Sequence, residues 1–409
     1  MRVTFLGQAC HLVEIDGRRI LTDPWLVDPI FEGHVEHDAP LPFGVADLPP
    51  LDAIAISHGH LDHFNAPSLV RLPDRSLPVI HPPIRFTELD ANLRRLGFTD
   101  LHARDDWEPF ALGDLQIVPT PSRGVLDECA FAFVGREGTF WDGVDAPQPE
   151  EVVAEIARRL GPVEVGAFSH NSFDQPTLFG MESLKSADHA PRAAAAAAAR
   201  LGVNAAIPAA SNMRWRGPCG AEVTARVIRR GASDLAARLA EVAPQIPCAR
   251  LAPGDAWTPD GIERGALRGT PEPQTPHDYL HPLLGTGERW CPEGRPSTED
   301  TFRRDLPARL GGAPEAARYH GRRVGFRITG SDGGDWSVDF GDPTAAPTPG
   351  IEDAEFAIEV QEDDWKDLFE RAIPWQVLMV SDRLRVLRFR PGPPPDGLHF
   401  VFALQAVFP

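Results

Sequence analysis

Cysteine, methionine and tyrosine are scarce: five, four and two in 409 residues. The cysteines (Cys10, Cys129, Cys219, Cys248 and Cys291) are odd in number and lack CxxC spacing. That excludes a disulfide framework or a zinc ribbon and suits a reducing cytoplasm. No apolar run reaches about 18 residues, so no membrane span is expected. The opening MRVTFLG lacks the basic-then-apolar pattern of a signal peptide. Positive charge is also short, 40 basic against 59 acidic residues, leaving a net charge of -19. Such a surface repels nucleic acid and acidic lipid unless a basic patch overrides it. The densest basic stretch, RVIRR (226–230), reads as a solvated helix face.

What is present is an ordinary globular composition, 42% apolar and 24% charged, in a chain too long for one compact core. VTFLG, HLVEI and ILTDPWL read as strands around the turn DGRR. LDAIAIS (51–57) is a nearly continuous apolar run, as in a strand buried on both faces. APSLVRL starts a helix, and LPVIHPP, DLQIVPTPS and CAFAFVGREGTFWDGVD supply further strands. PEEVVAEIARRLG is an amphipathic helix ended by Gly161, VEVGAFSH a buried strand, PRAAAAAAARLG an alanine helix stopped by Gly202, and NAAIPAA a strand. This order predicts an α/β protein, a sheet sandwich with helices on its outer faces, over 1–264. Residues 265–315 are rich in Pro, Gly and charge and read as an irregular connection. From 316 to 409, alternation in RVGFRITG, DWSVDFG, AEFAIEV, RLRVLRFR and HFVFALQAVF, with the helix QEDDWKDLFERAI, predicts a small α+β domain.

The stretch IAISHGHLDHFNAPSL (54–69) crowds donors where a strand ends. His58 and His60 alternate onto one side and can grip one metal; Asp62 and His63 lie past the bend, toward a second position. Imidazole with carboxylate suits zinc, iron or manganese, with a coordination position left over. The expectation is one or two divalent transition metal ions.

These residues resemble the metallo-β-lactamase superfamily. VTFLGQACHLVEIDGRRILTDPWL looks like its opening strands, with the TDPWL loop below the metal site, and the resemblance extends over roughly 2–255. The resemblance implies an αββα sandwich. The branch it looks most like contains N-acylphosphatidylethanolamine phospholipase D-like hydrolases and CMP-N-acetylneuraminate hydroxylase; ILTDPWLVDPIF and SHNSFDQPTLF lean toward the hydroxylase relatives. By the same resemblance a bridging aspartate follows a strand, and TFWDGVDAP offers Asp142, preferred to Asp145. Two family histidines are missing, with Ser122, Arg123 and Asp127 near the first place and Pro208 at the second. Asp127 and, by preference, His170 are the replacement candidates. His189 is a candidate substrate contact or support for a ligand, His81 is read as structural, and His11, His34 and His37 are potential pocket-lining residues not counted in the site. The metal set is therefore His58, His60, Asp62, His63, Asp142 and His170, with Asp62 and His170 as catalytic groups.

The resulting expectation is a metal-dependent hydrolase acting on a small molecule. A rival is a non-haem iron oxygenase; no Rieske pair of CxH motifs occurs, so electrons would come from a partner or from the substrate through a di-iron site. A third reading is a degenerate site that only binds. The carboxy-terminal segment resembles sterol-carrier-protein-like domains, against which stands a packing or dimerisation module with Trp365, Leu368, Phe369 and Trp375 as core. A homodimer is left open.

Overall fold

In the computed structural model the described residues are 1–84, 89–123, 127–143, 149–171, 175–179, 182–183, 186–272, 296–313, 321–342, 344–370, 373, 375–381, 383–389, 404 and 407–408. The chain divides into two compact units. The first comprises Met1–Ile84, Leu89–Asp174 and Leu184–Leu283; the second comprises Arg85–Glu88, Gln175–Ser183 and Leu284–Pro409.

The first unit is a four-layer αββα sandwich. Its opening strands are β1 (Arg2–Gly7), β2 (Cys10–Ile15) and β3 (Arg18–Thr22), followed by β4 (Val35–His37), β5 (Ala53–Ala55), β6 (Val79–His81) and β7 (Leu101–Ala103). Next come β8 (Phe110–Leu112), β9 (Leu115–Pro121), β10 (Cys129–Gly135), β11 (Gly138–Asp142), β12 (Val165–Ser169), β13 (Ala205–Ala209), β14 (Met213–Trp215), β15 (Ala256–Thr258) and β16 (Gly261–Glu263). One sheet runs β16-β15-β1-β2-β3-β5-β6-β7, the facing one β13-β12-β11-β10-β9-β8, and β4 pairs with β14. Between the sheets lie Val13, Ile20 and Ala55 from one side and Ile117, Phe131, Phe140 and Ile207 from the other. The helix Ala66–Arg71 covers the outer face of the first sheet through Leu69. The helices Glu150–Leu160 and His189–Leu201 cover the second through Val152, Ile156, Ala194 and Ala198. Strands β3, β5 and β6 are parallel, as are β11, β12 and β13. Parallel strands end together, which gathers the loops after β3, β5, β11 and β12 at the sheet ends where such folds place their sites.

The stretch read as an irregular connection is more ordered in its described parts. Leu267 N–H donates to Gly254 O at 2.9 Å and Gly269 N–H to Pro42 O at 2.9 Å, so this segment is tied to the sandwich. Residues 298–311 are helical, with a π turn over Thr301–Asp305, and bury Phe302, Leu306 and Leu310. Charged residues outnumber the apolar ones there, but 302, 306 and 310 recur at helical spacing and form one buried stripe.

The second unit has the strands β17 (Arg323–Thr329), β18 (Gly334–Asp339), β19 (Thr348–Pro349), β20 (Phe356–Gln361) and β21 (Leu384–Arg388), in the order β19-β18-β17-β20-β21. The helix Glu362–Phe369 follows β20 directly. Trp365, Leu368 and Trp375 are buried in its core, with Phe369 packed against them. The strand expected over HFVFALQAVF is not seen at its described positions. Leu404 and Val407 are helical, and Phe408 N–H donates to Leu404 O at 2.8 Å. Leu404, Val407 and Phe408 stand at i, i+3 and i+4, a helical face, and all three are buried. Among the described residues no helix is long and apolar enough to cross a membrane.

Candidate metal centre

The loop after β5 carries His58, His60, Asp62 and His63, and Asn65 ends it by capping the helix Ala66–Arg71. Its Oδ1 accepts from Ser68 N–H at 3.0 Å. Ser68 Oγ in turn accepts from Leu26 N–H at 2.8 Å, so the loop after β3 is fastened to the loop after β5. Across the sandwich, Cys129 N–H donates to Ser57 O at 3.2 Å.

Asp23, just past β3, organises the histidines. Its Oδ1 accepts from Ser57 N–H at 2.7 Å, and its Oδ2 from Ser57 Oγ at 2.7 Å and from His63 Nδ1 at 2.9 Å. Because Ser57 spends its proton on Asp23, it accepts from His58 Nδ1 at 2.9 Å. Both imidazoles thus carry their proton on Nδ1 and keep the lone pair on Nε2. Burial pushes the Asp23 carboxyl above the usual carboxylate range, while His63 and Ser57 pull it back.

The donors stand as two pairs. His58 Nε2 lies 2.8 Å from His60 Nδ1, and His63 Nε2 lies 3.5 Å from Asp62 Oδ2. Two ligands on one tetrahedral ion with bonds of about 2.0–2.1 Å stand about 3.3 Å apart, so each pair is within about half an ångström of a shared ion. Among the described residues no group of three or more His, Cys, Asp or Glu stands ready around a single point. A bound ion would therefore have to draw further donors toward a pair. The buried thiols of Cys10 and Cys129 are held well above their ordinary range by desolvation, with Asp23 adding to it, so neither offers a thiolate.

Asp142 ends β11 and is buried. Its Oδ2 lies 3.0 Å from His11 Nδ1 and 3.2 Å from Thr22 Oγ1, the last residue of β3, while Oδ1 has no hydrogen-bond partner among the described residues. An orphaned, buried carboxylate oxygen is what a metal-binding carboxylate would show; the partners of Asp142 are His11 and Thr22 and not the histidine loop itself. The rival candidate Asp145 lies outside the described residues. The donor types, the Nε2 lone pairs and this oxygen together fit a divalent transition metal.

The other candidates fall as follows. His170 follows β12, three residues beyond Ala167, the register partner of Asp142. It is buried and hydrogen-bonded to the Ala209 backbone, and its Nδ1 has no hydrogen-bond partner among the described residues; desolvation lowers its pKa to about 4. Its resolved contacts do not bring it to the two pairs. Asp127 is half-buried before β10, and Ser122 Oγ donates to Glu128 at 2.7 Å. Pro208 lies in β13, the sheet-edge strand, where a missing N–H costs least. His189 is exposed at a helix start, away from any such cluster. His81 is buried and 2.8 Å from Pro82 O. His37 is paired with Asp28 at 2.9 Å and stacked 3.9 Å from Trp25. Gly7, at φ +130°, makes room for that ring, since a Cβ there would lie 2.7 Å from it.

Sequence reasoning missed three supports: Asp23, Gln8 and His11. Gln8 Nε2 donates to Asp62 Oδ2 at 3.2 Å while its Oε1 accepts from Asn212 N–H at 2.8 Å. The TDPWL stretch pointed to Asp23's loop. A polar residue at an inner strand position was the available signal for His11.

Residues 18–209 match the family profile of the β-lactamase superfamily domain. The two facing sheets and their outer helices give this part of the chain a metallo-β-lactamase-like fold. An uncharacterized protein of Mycobacterium tuberculosis is 32% identical over 146 residues, 34% of this chain and 37% of that protein. A 4-amino-L-phenylalanyl-[CmlP-peptidyl-carrier-protein] 3-hydroxylase of Streptomyces venezuelae is 33% identical over 126 residues, 29% of this chain and 23% of that protein. An N-acyl-phosphatidylethanolamine-hydrolyzing phospholipase D of Caenorhabditis elegans is 37% identical over 73 residues, 17% of this chain and 20% of that protein. The chain thus spans between a fifth and little more than a third of the length of these curated relatives. Among solved structures, a possible metal-dependent hydrolase from Veillonella parvula has a TM-score of 0.48 at 16% identity, covering 63% of this chain and 98% of that one. The diiron β-hydroxylase CmlA from Streptomyces venezuelae has a TM-score of 0.46 at 19% identity, covering 64% and 54%.

Proposed function

We propose that the β-lactamase-like unit is a metal-dependent hydrolase of a small molecule. The observation that carries it is the Asp23–Ser57 network, which leaves the Nε2 lone pairs of His58 and His63 facing His60 and Asp62. In this reading His58 and His60 hold one ion, Asp62 and His63 a second, and Asp142 contributes Oδ1. Zinc, iron or manganese bound there would polarise a carbonyl or phosphoryl oxygen and acidify a coordinated water. The chain's own part is orientation: Asp23 fixes the tautomers, and Gln8 holds the carboxylate of Asp62. His170 offers a sixth lone pair at the same end of the second sheet, and the metal content of His170→Gln decides its membership.

A second reading, an iron-dependent oxygenase, is favoured by the similarity to the Streptomyces hydroxylase over 126 residues. It needs an electron donor, a partner protein or the substrate itself. Turnover of an ester, amide and phosphodiester panel by the zinc and iron forms, each with and without air, separates the two. Hydrolysis predicts turnover by the zinc form without dioxygen. Activity confined to iron plus air overturns it, and metal binding with no turnover in any form marks a binding protein.

A further inference from the structure

We propose that His11 is the positioning residue of Asp142: its Nδ1–H occupies one carboxylate oxygen and so presents the other to the metal. The inference rests on the reading of Asp142 as a ligand. His11 lies on β2 in the space between the sheets, a place otherwise filled by aliphatic and phenyl groups. Both His11 and Asp142 are buried, at 0% and 1% exposure. The imidazole is flanked by Phe5 and Phe140, with ring centroids 5.7 Å and 5.5 Å away. Its Nδ1 lies 3.0 Å from Asp142 Oδ2, and its Nε2 has no hydrogen-bond partner among the described residues.

Since a carboxylate only accepts, the shared proton belongs to His11 Nδ1. Thr22 Oγ1, which accepts from His11 N–H at 3.0 Å, lies 3.2 Å from the same Oδ2. The single Thr22 hydroxyl proton is shared between this Oδ2 and Ala9 O, at 3.2 and 3.3 Å, so His11 Nδ1–H is the undivided donor to Oδ2, and Oδ1 is left over. The backbone of Asp142 is held too, paired with Phe131 on β10 and with Ala167 on β12. With the backbone and one oxygen fixed, the direction of Oδ1 is set before any ion arrives. An imidazole with an unpartnered nitrogen is a costly way to fill a core. A valine or phenylalanine would pack there without that penalty; what the imidazole adds is the Nδ1–H to Asp142.

The alternative is a hydrogen bond that merely ties the sheets together. Two variants of similar polarity separate the roles by where they put an amide N–H. His11→Asn places it where Nδ1 stood; His11→Gln carries it toward the Nε2 position, away from Asp142. Metal-free full-length protein is titrated with Zn²⁺ by calorimetry, and its thermal unfolding is recorded without metal, with Asp142→Asn as the reference. Removing an outer hydrogen bond to a metal ligand costs about 10–100-fold in metal affinity. The expected result is that loss in His11→Gln, with most of the affinity restored in His11→Asn. Equal affinity in the two variants, with only the unfolding temperature moving, overturns the role of His11. If Asp142→Asn itself binds Zn²⁺ like the parent, the ligand assignment falls first and the inference falls with it.

Discussion

Both units have apolar cores, but they differ in what else they bury. In the first, the space at the strand ends holds Asp23, His58, His63, His11 and Asp142, all buried. In the second, Phe302, Phe326, Trp365, Trp375 and Phe408 fill the core, and its Trp365–Phe302 pair stacks at 5.0 Å. Buried polar groups are tolerated only when they are partnered or bind something, whereas aromatic packing stabilises outright. The contrast teaches that the first unit carries a buried polar cluster with a cost in stability, while the second unit buries rings that carry none.

The largest effect that could break this contrast is the loss of the site. His58→Ala with His60→Ala should remove the metal proposed to bind there, with equal metal content in parent and variant disproving the assignment. The unfolding of the metal-free protein should change little, because these side chains sit on a loop of a preformed sandwich.

Next is the opposite interior. Trp365→Ala should cost about 3–5 kcal/mol in urea unfolding, since it leaves a cavity. It also removes the donor to Thr301 Oγ1, which accepts from Trp365 Nε1 at 2.8 Å and keeps only its own bond to Thr298 O. Metal content should stay at the parental level. A cost below about 1 kcal/mol would show that these rings are not the second unit's core.

A smaller, pH-dependent effect sharpens the first half of the comparison. Desolvation lowers the pKa of His170 from 6.5 to about 4, so below 6.5 the unfolded chain binds a proton that the folded one refuses. Stability is therefore full above that value and declines as pH falls toward about 4, where both states are protonated. The integrated loss is on the order of 3 kcal/mol, and His170→Gln should flatten that limb of a pH–stability curve for the metal-free protein. An unchanged limb would mean that His170 is not the buried neutral imidazole described.

The smallest effect concerns the cap. Asn65→Ala should destabilise the first unit by about 1 kcal/mol, measured as a shift in unfolding midpoint. It should also loosen metal binding, because Asn65 and Ser68 fasten the histidine loop to Leu26. A variant with parental metal affinity would show that the loop is held by Asp23 and Gln8 alone.

Much of the sandwich was legible because its signals are local. The run LDAIAIS marked β5, Gly161 and Gly202 marked helix ends with positive φ, and HxHxDH placed four donors by spacing alone. The misses were non-local. The segment 298–311 looked irregular by composition, yet its stripe becomes a helix when Phe302 and Leu306 find a core. HFVFALQAVF has strand-like alternation, but burial of Leu404, Val407 and Phe408 together favours the helical spacing at its described positions. Residues 175–183, read within the first domain by their place in the chain, belong to the second unit, where Phe179 packs on its core.

The amino-acid order by itself determined the donor set, its crowding of four members into six positions at a strand end, and the α/β sandwich that carries it. Those follow from hydrophobic periodicity and from the few side chains that bind transition metals. Only the tertiary structure decided which neighbours orient these donors. Gln8, His11 and Asp23 lie 54, 131 and 40 residues from Asp62, Asp142 and His63. A hydrogen bond has a reach of about 3 Å and no memory of sequence distance, so such partners exist only once parallel strands have brought their ends together.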